Sequence, residues 1–222
     1  MLYRVLFAVL RPIARVLYGL RPGEVPQIPE GEAAMIVANH ANFLDPVLVS
    51  LVLPRQIHWV AKEELFHIPL FGGFIRRLGA IPIRRDSGDV KSLKAIMKVA
   101  RGGKIVGIFP EGTRMKGVDL DRAKPQTLTL ASRLHLPVYP VSIRGPYRIF
   151  SKMEVIFHSP ITFEKKVTGD EAQELMREIM REIYSQVYPE GHPDLEPGAA
   201  ISTDKLENKE LEKEREDGNH HQ

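Results

Sequence analysis

Ala34-Met35-Ile36-Val37-Ala38-Asn39-His40-Ala41-Asn42-Phe43-Leu44-Asp45-Pro46 is the stretch on which the fold turns. Its first five residues are apolar and read as a buried strand. Short polar residues then break the pattern. Pro46 stands near the start of a helix over roughly 45–53, where its missing N–H costs little. A strand, a tight loop and a helix in succession form the repeating unit of an α/β domain.

The same rhythm continues outward from about residue 33 to 187. Strands are predicted at 57–61, 80–84, 104–109, 138–143 and 154–157, with Pro82 placing the strand at 80–84 at an edge or a bulge. Helices are predicted at 70–78, from a cap at Asp86 or Ser87 through Val99, and at 125–134. Thr168 and Glu171 form a capping box ahead of a last helix whose apolar positions are Leu175, Met176, Ile179, Met180, Ile183 and Val187. The expectation is an α/β domain with a mostly parallel or mixed central sheet flanked by helices, over residues 23–189. Residues 190–222 read as a charged, disordered tail.

The chain has 222 residues, enough for one domain with a substantial core. It has no cysteine, which excludes disulfides and thiolate metal sites, and its eight histidines show no metal-ligand spacing. Neither a metal nor a nucleotide cofactor is expected, since no Walker loop is present. The net charge of +3 conceals an acidic segment, residues 204–217, with seven acids and four bases; without its −3 the remainder carries +6. A basic body suits an anionic partner such as phosphate, acidic lipid or an acidic carrier protein. Nucleic acid is not expected, because no interleaved basic and aromatic pattern accompanies the charge.

Residues 1–22 are mostly apolar, yet no uninterrupted run approaches the roughly 20 residues needed to cross a bilayer. Arg4, Arg11 and Arg15 form one helical stripe, leucines and other apolar residues occupy the rest, and Tyr3, Phe7 and Tyr18 could serve as interfacial rings. The expectation is an amphipathic helix or helix pair anchored on a membrane surface, kinked or split at Pro12. The alternative is a helix packed on the domain.

His40 and Asp45 lie just beyond the strand 34–38, and Phe109-Pro110-Glu111-Gly112-Thr113-Arg114 just beyond the strand 104–109. In open α/β sheets ligands bind outside the carboxyl ends of strands, so both motifs face one crevice. A histidine with an aspartate five residues on is a weak signal alone, since a cap or loop histidine has the same pattern. The second motif, six specified residues, is far rarer by chance.

Together the two motifs resemble the signature of the glycerolipid acyltransferases, specifically the 1-acyl-glycerol-3-phosphate (lysophosphatidate) acyltransferases. Two further blocks match in order: Gly79, Ile81, Ile83 and Arg85, then Leu136-Pro137-Val138-Tyr139-Pro140-Val141. The resemblance spans about 34–143. One departure is Lys124-Pro125-Gln126-Thr127, where the family has a lysine followed closely by a glycine. The resemblance implies that His40 and Asp45 are catalytic and that Lys62 and Arg85 meet the phosphate of the acceptor.

The residues support a chemistry of their own. A neutral imidazole can take the proton of an attacking hydroxyl near neutral pH, and Asp45 can fix the ring tautomer. Lys62, Arg85 and Arg114 can supply fixed positive charge, although Arg85 could instead pair with Glu111. Glu111 reads as positioning glycerol or an arginine, and Gly112 as letting substrate approach the backbone. Thr113 either donates to a phosphate oxygen or satisfies the turn.

The function implied is transfer of a fatty acyl group from acyl-carrier protein or coenzyme A to the sn-2 hydroxyl of 1-acyl-glycerol-3-phosphate. The product is phosphatidate, formed at the cytoplasmic face of the membrane by a peripheral or monotopic protein. The alternatives are glycerol-3-phosphate or another lysophospholipid as acceptor, a thioesterase, and a non-catalytic lipid-phosphate-binding protein.

Overall fold

The structure, a computed structural model, describes residues 2–84, 90–192, 194 and 195. Seven strands form one sheet: β1 (Arg21–Pro22), β2 (Ala34–Ala38), β3 (Ile57–Lys62), β4 (Ile81–Ile83), β5 (Ile105–Ile108), β6 (Val138–Arg144) and β7 (Glu154–Phe157). Their order is β1-β7-β6-β2-β5-β3-β4. Only the β6–β7 pair is antiparallel, so the sheet is mixed with a parallel centre. β4 lies at the edge, where Pro82 removes no donor that a central ladder would need.

Among the described residues there are six α-helices: α1 (Leu2–Leu17), α2 (Asp45–Val52), α3 (Phe71–Arg77), α4 (Val90–Arg101), α5 (Gln126–Arg133) and α6 (Gly169–Val187). Alternation along β2 divides the core. Met35 and Val37 pack with Ile96 of α4, Leu128 of α5 and Met176, Ile179 and Ile183 of α6. Ala34, Ile36 and Ala38 face the other layer, with Phe7 of α1 and Leu48 and Val49 of α2. Every residue of β2 is therefore buried, which explains its unbroken apolar run.

Several expectations are corrected. Pro12 does not split α1, which runs as one helix through it. Ala8 and Pro12 are both exposed, so the carbonyl left without a partner lies toward solvent. Tyr3 and Phe7 are not interfacial rings: they stack at 4.2 Å and are buried against the domain. Arg11 leaves the basic stripe and donates to the carbonyls of Leu51 and Leu53, satisfying the carboxyl end of α2. Thr168 stands at the N-cap of α6, but its side chain makes no capping bond, so the expected box does not form. Leu195 is buried in the core; most of the expected tail lies outside the described residues, as do the proposed caps Asp86 and Ser87.

Candidate active site

The end of β2 is shaped by Asn39. Its side-chain Nδ2 donates to the carbonyl of Ile143 at 3.0 Å, and the Ile143 amide donates to its Oδ1 at 2.8 Å. A carboxamide has the donor and acceptor of a peptide unit, so Asn39 extends the β2–β6 ladder with its side chain while its backbone turns away. That turn delivers His40 to the carboxyl end of the sheet.

His40 is held on four sides. Its Nδ1 lies 2.9 Å from Oδ2 of Asp45. Its backbone amide donates to Oε2 of Glu111 at 2.8 Å, and its carbonyl accepts from the amide of Met115 at 2.7 Å. Its ring stacks on Phe109 at 4.1 Å, and Phe109 stacks in turn on Trp59 at 4.6 Å. The indole is anchored by its Nε1 donating to Ser50. These contacts bring the two sequence motifs together as one unit, and Arg114, next to Met115, lies in that unit and is exposed.

Asp45 is fully buried. Its Oδ2 accepts from His40 Nδ1 and from the amides of Ala41 and Asn42 at 2.8 and 2.7 Å; its Oδ1 accepts from the hydroxyl of Tyr147 at 2.7 Å. Such a set of donors satisfies an ionised carboxylate in a dry site. With Asp45 accepting the Nδ1 proton, the neutral imidazole keeps its lone pair on Nε2, the nitrogen free to act as base. His40 retains 19% side-chain exposure, so it is reachable.

Glu111 is turned into the protein. It is only 3% exposed, and both oxygens bond within the protein, Oε2 to the His40 amide and Oε1 to the Tyr184 hydroxyl. Burial pushes its carboxyl up to about 7, against the opposing pull of those two donors. Glu111 thus fixes the backbone of the histidine loop.

Gly112 adopts φ 68°, a left-handed conformation that suits glycine, and the Lys124 side chain passes over it, 3.6 Å from where a Cβ would stand. Lys124 therefore joins this turn even though the glycine expected after it is absent. Thr113 is half-buried in the turn. Lys62, at the end of β3, pairs with Glu64 at 3.0 Å. Arg84 pairs with Glu63, while Arg85 lies outside the described residues. Sequence reasoning missed Trp59, Tyr147 and Tyr184, whose partners are remote in the chain. It quoted Phe109 without giving it a part, although a ring beside a histidine motif was a usable signal.

Among the described residues no group of three or more histidines, cysteines or carboxylates could hold a metal ion. The fold and the site define a class: an α/β protein with a carboxylate-oriented histidine at the carboxyl end of a parallel sheet. The family model described as Acyltransferase matches residues 24–144, and the chain belongs to that family. It is 30% identical over 167 residues to the 1-acyl-sn-glycerol-3-phosphate acyltransferase of Bacillus subtilis (strain 168), covering 72% of this chain and 82% of that protein. The enzyme of the same name from Helicobacter pylori (strain J99 / ATCC 700824) is 34% identical over 122 residues, 54% of this chain and 52% of that one. In structure the chain resembles the 1-acyl-sn-glycerophosphate (LPA) acyltransferase PlsC of Thermotoga maritima, with TM-score 0.64, 25% identity and coverage of 83% and 78%.

Proposed function

We propose that this protein is an O-acyltransferase that moves a fatty acyl group from an acyl thioester to the sn-2 hydroxyl of 1-acyl-glycerol-3-phosphate, forming phosphatidate. The observation that carries the reading is the His40–Asp45 pair, with Nδ1 engaged and Nε2 free at the mouth of the sheet. Nε2 takes the proton of the hydroxyl as its oxygen attacks the thioester carbonyl. The C–S bond breaks as the tetrahedral intermediate collapses, and the imidazolium returns the proton to the departing thiolate. No covalent enzyme intermediate is required.

Arg114, Lys62 and Arg85 supply charge for the acceptor's phosphate, with Lys124 adjoining. When substrate is absent Lys62 rests on Glu64, an exposed pair that a phosphate can displace at little cost. The thioester carrier is acyl-carrier protein or coenzyme A; both are acidic, and the basic body suits either.

We infer that the protein works at a membrane surface, on its cytoplasmic face, where a lipid acceptor would be met. No helix among the described residues is long and apolar enough to cross a membrane. Support for surface contact comes from α1, where Val5, Val9, Ile13 and Val16 form one exposed stripe opposite the buried Tyr3 and Phe7. A second exposed apolar group, Ile68, Leu70, Phe71 and Phe74, follows β3 on the same end of the sheet as His40, with Arg76 and Arg77 beside it.

The deciding experiment incubates the purified protein with lysophosphatidate and each acyl thioester, beside a His40→Ala variant. Transfer is expected in the wild type and absent from the variant, with thermal transitions within a few degrees. Equal turnover by both ends the assignment. Preference for glycerol-3-phosphate would move the acceptor, and thioester hydrolysis indifferent to any acceptor would make the protein a thioesterase.

A further inference from the structure

Each motif carboxylate ends on a phenol contributed by the carboxy-terminal part of the chain. Tyr147, just after β6, donates to Oδ1 of Asp45 at 2.7 Å. Tyr184, on α6, donates to Oε1 of Glu111. The family match stops at residue 144, so both tyrosines lie beyond it.

Both hydroxyls are pure donors here. Burial and the facing carboxylate push each phenol well above its ordinary range, so neither ionises at any working pH. The remaining bonds of the two carboxylates explain what the donors do. The other oxygen of Asp45 holds the His40 ring and the amides of Ala41 and Asn42; the other oxygen of Glu111 holds the His40 amide. Each carboxylate is therefore pinned at one oxygen by the histidine loop and at the other by a tyrosine. Without the phenol, the second oxygen is a buried acceptor without a partner, and the carboxylate is free to rotate about its bond.

The elements that carry the tyrosines are themselves fixed. Gly145, at φ 137°, folds the chain back closely enough that a Cβ there would meet Met153, and Tyr147 adopts φ 50°, a left-handed backbone uncommon for a residue with a side chain. α6 is tied to β6 and β7 around Tyr184. His158 lies 2.9 Å from Glu182, Ser142 donates to the Ile183 carbonyl at 2.8 Å, and Arg144 donates to that of Gln186 at 3.0 Å.

We propose that Tyr147 and Tyr184 are positioning residues for acyl transfer, orienting Asp45 and Glu111 so that the His40 ring and its backbone hold one attack geometry. This rests on the reading of His40 as the base. Tyr147→Phe and Tyr184→Phe keep the rings and delete only the hydroxyls. Each is expected to lower kcat about ten-fold, the scale of one hydrogen bond to a charged group, with KM unchanged within about two-fold.

A second readout does not depend on turnover. The downfield proton resonance of the His40 ring N–H is expected to shift in Tyr147→Phe, and the His40 backbone amide resonance in Tyr184→Phe. Variants that lose thermal stability while kcat per folded molecule and both resonances stay at wild-type values would overturn the proposal. If Tyr147→Phe does not fold, Tyr184→Phe carries the test, and unchanged kcat and amide shift there overturn it. A wild type with shifted resonances in its variants but no transfer to any acceptor would instead sink the acyltransferase reading and leave the positioning geometry standing.

Discussion

The carboxylate of Glu111 accepts the backbone amide proton of His40 at 2.8 Å across 71 residues of sequence. One buried acid thereby fastens the second motif to the first, and its charge state feeds directly into stability. Its carboxyl is raised from 4.5 to about 7, so the folded protein holds a proton that the unfolded chain releases. The associated stability is fully present below about pH 4.5 and is lost as pH rises through about 7.

Glu111→Gln removes that titration while keeping an acceptor for His40. Wild-type stability is expected to fall between pH 5 and 8 by an amount on the order of 3 kcal/mol, while the variant stays nearly level. Urea unfolding at several pH values measures this. Parallel curves for the two proteins would contradict it.

Asp45→Asn puts an amide where three donors converge on one oxygen. With its NH2 toward them the Ala41, Asn42 and His40 contacts break; with its NH2 toward Tyr147 they survive, but in either orientation the charge that steadies the imidazolium is gone. Transfer is expected to drop by roughly three orders of magnitude or more, as when a histidine loses its orienting carboxylate. Steady-state assays against lysophosphatidate decide it, and activity within ten-fold of wild type would remove Asp45 from the mechanism.

Asn39→Ala deletes two buried hydrogen bonds and leaves both polar groups of Ile143 without those partners. A loss of about 2–4 kcal/mol is expected from two such deletions. Chemical denaturation tests this, and a change below 1 kcal/mol would mean that the ladder closes without the carboxamide.

Gly112→Ala tests the turn. The added methyl meets Lys124 only at an ordinary 3.6 Å, so the cost is the left-handed backbone, about 1 kcal/mol. A drop of a few degrees in the thermal transition is expected. A shift beyond ten degrees would point to a closer obstruction.

Most of the fold could be read because each buried strand is a short apolar run between turn residues, and β2 through β7 fall within a residue or two of their expected bounds. β1 escaped notice because two residues, Arg21 and Pro22, carry no period. The His40–Asp45 contact was legible from spacing, since a loop of five residues can close on itself. Tyr147 and Tyr184 were not, because their partners lie 102 and 73 residues away and a tyrosine beside apolar positions reads as core. The bond between Glu111 and Tyr184 was hidden for a related reason. Glu111 stands in a turn between the buried Pro110 and the half-buried Gly112, and only the packing of α6 shows that its carboxylate meets Tyr184.

The strand order has one further outcome, for synthesis on the ribosome. β2 leaves the exit tunnel early, yet both strands that flank it, β5 and β6, arrive roughly 70 and 100 residues later. Until then its apolar edges have no partner, and a nascent chain that already contains His40 has no sheet on which to mount it. Maturation is thus timed by the last central strand to emerge, and an assay on stalled chains of increasing length should show activity switching on abruptly.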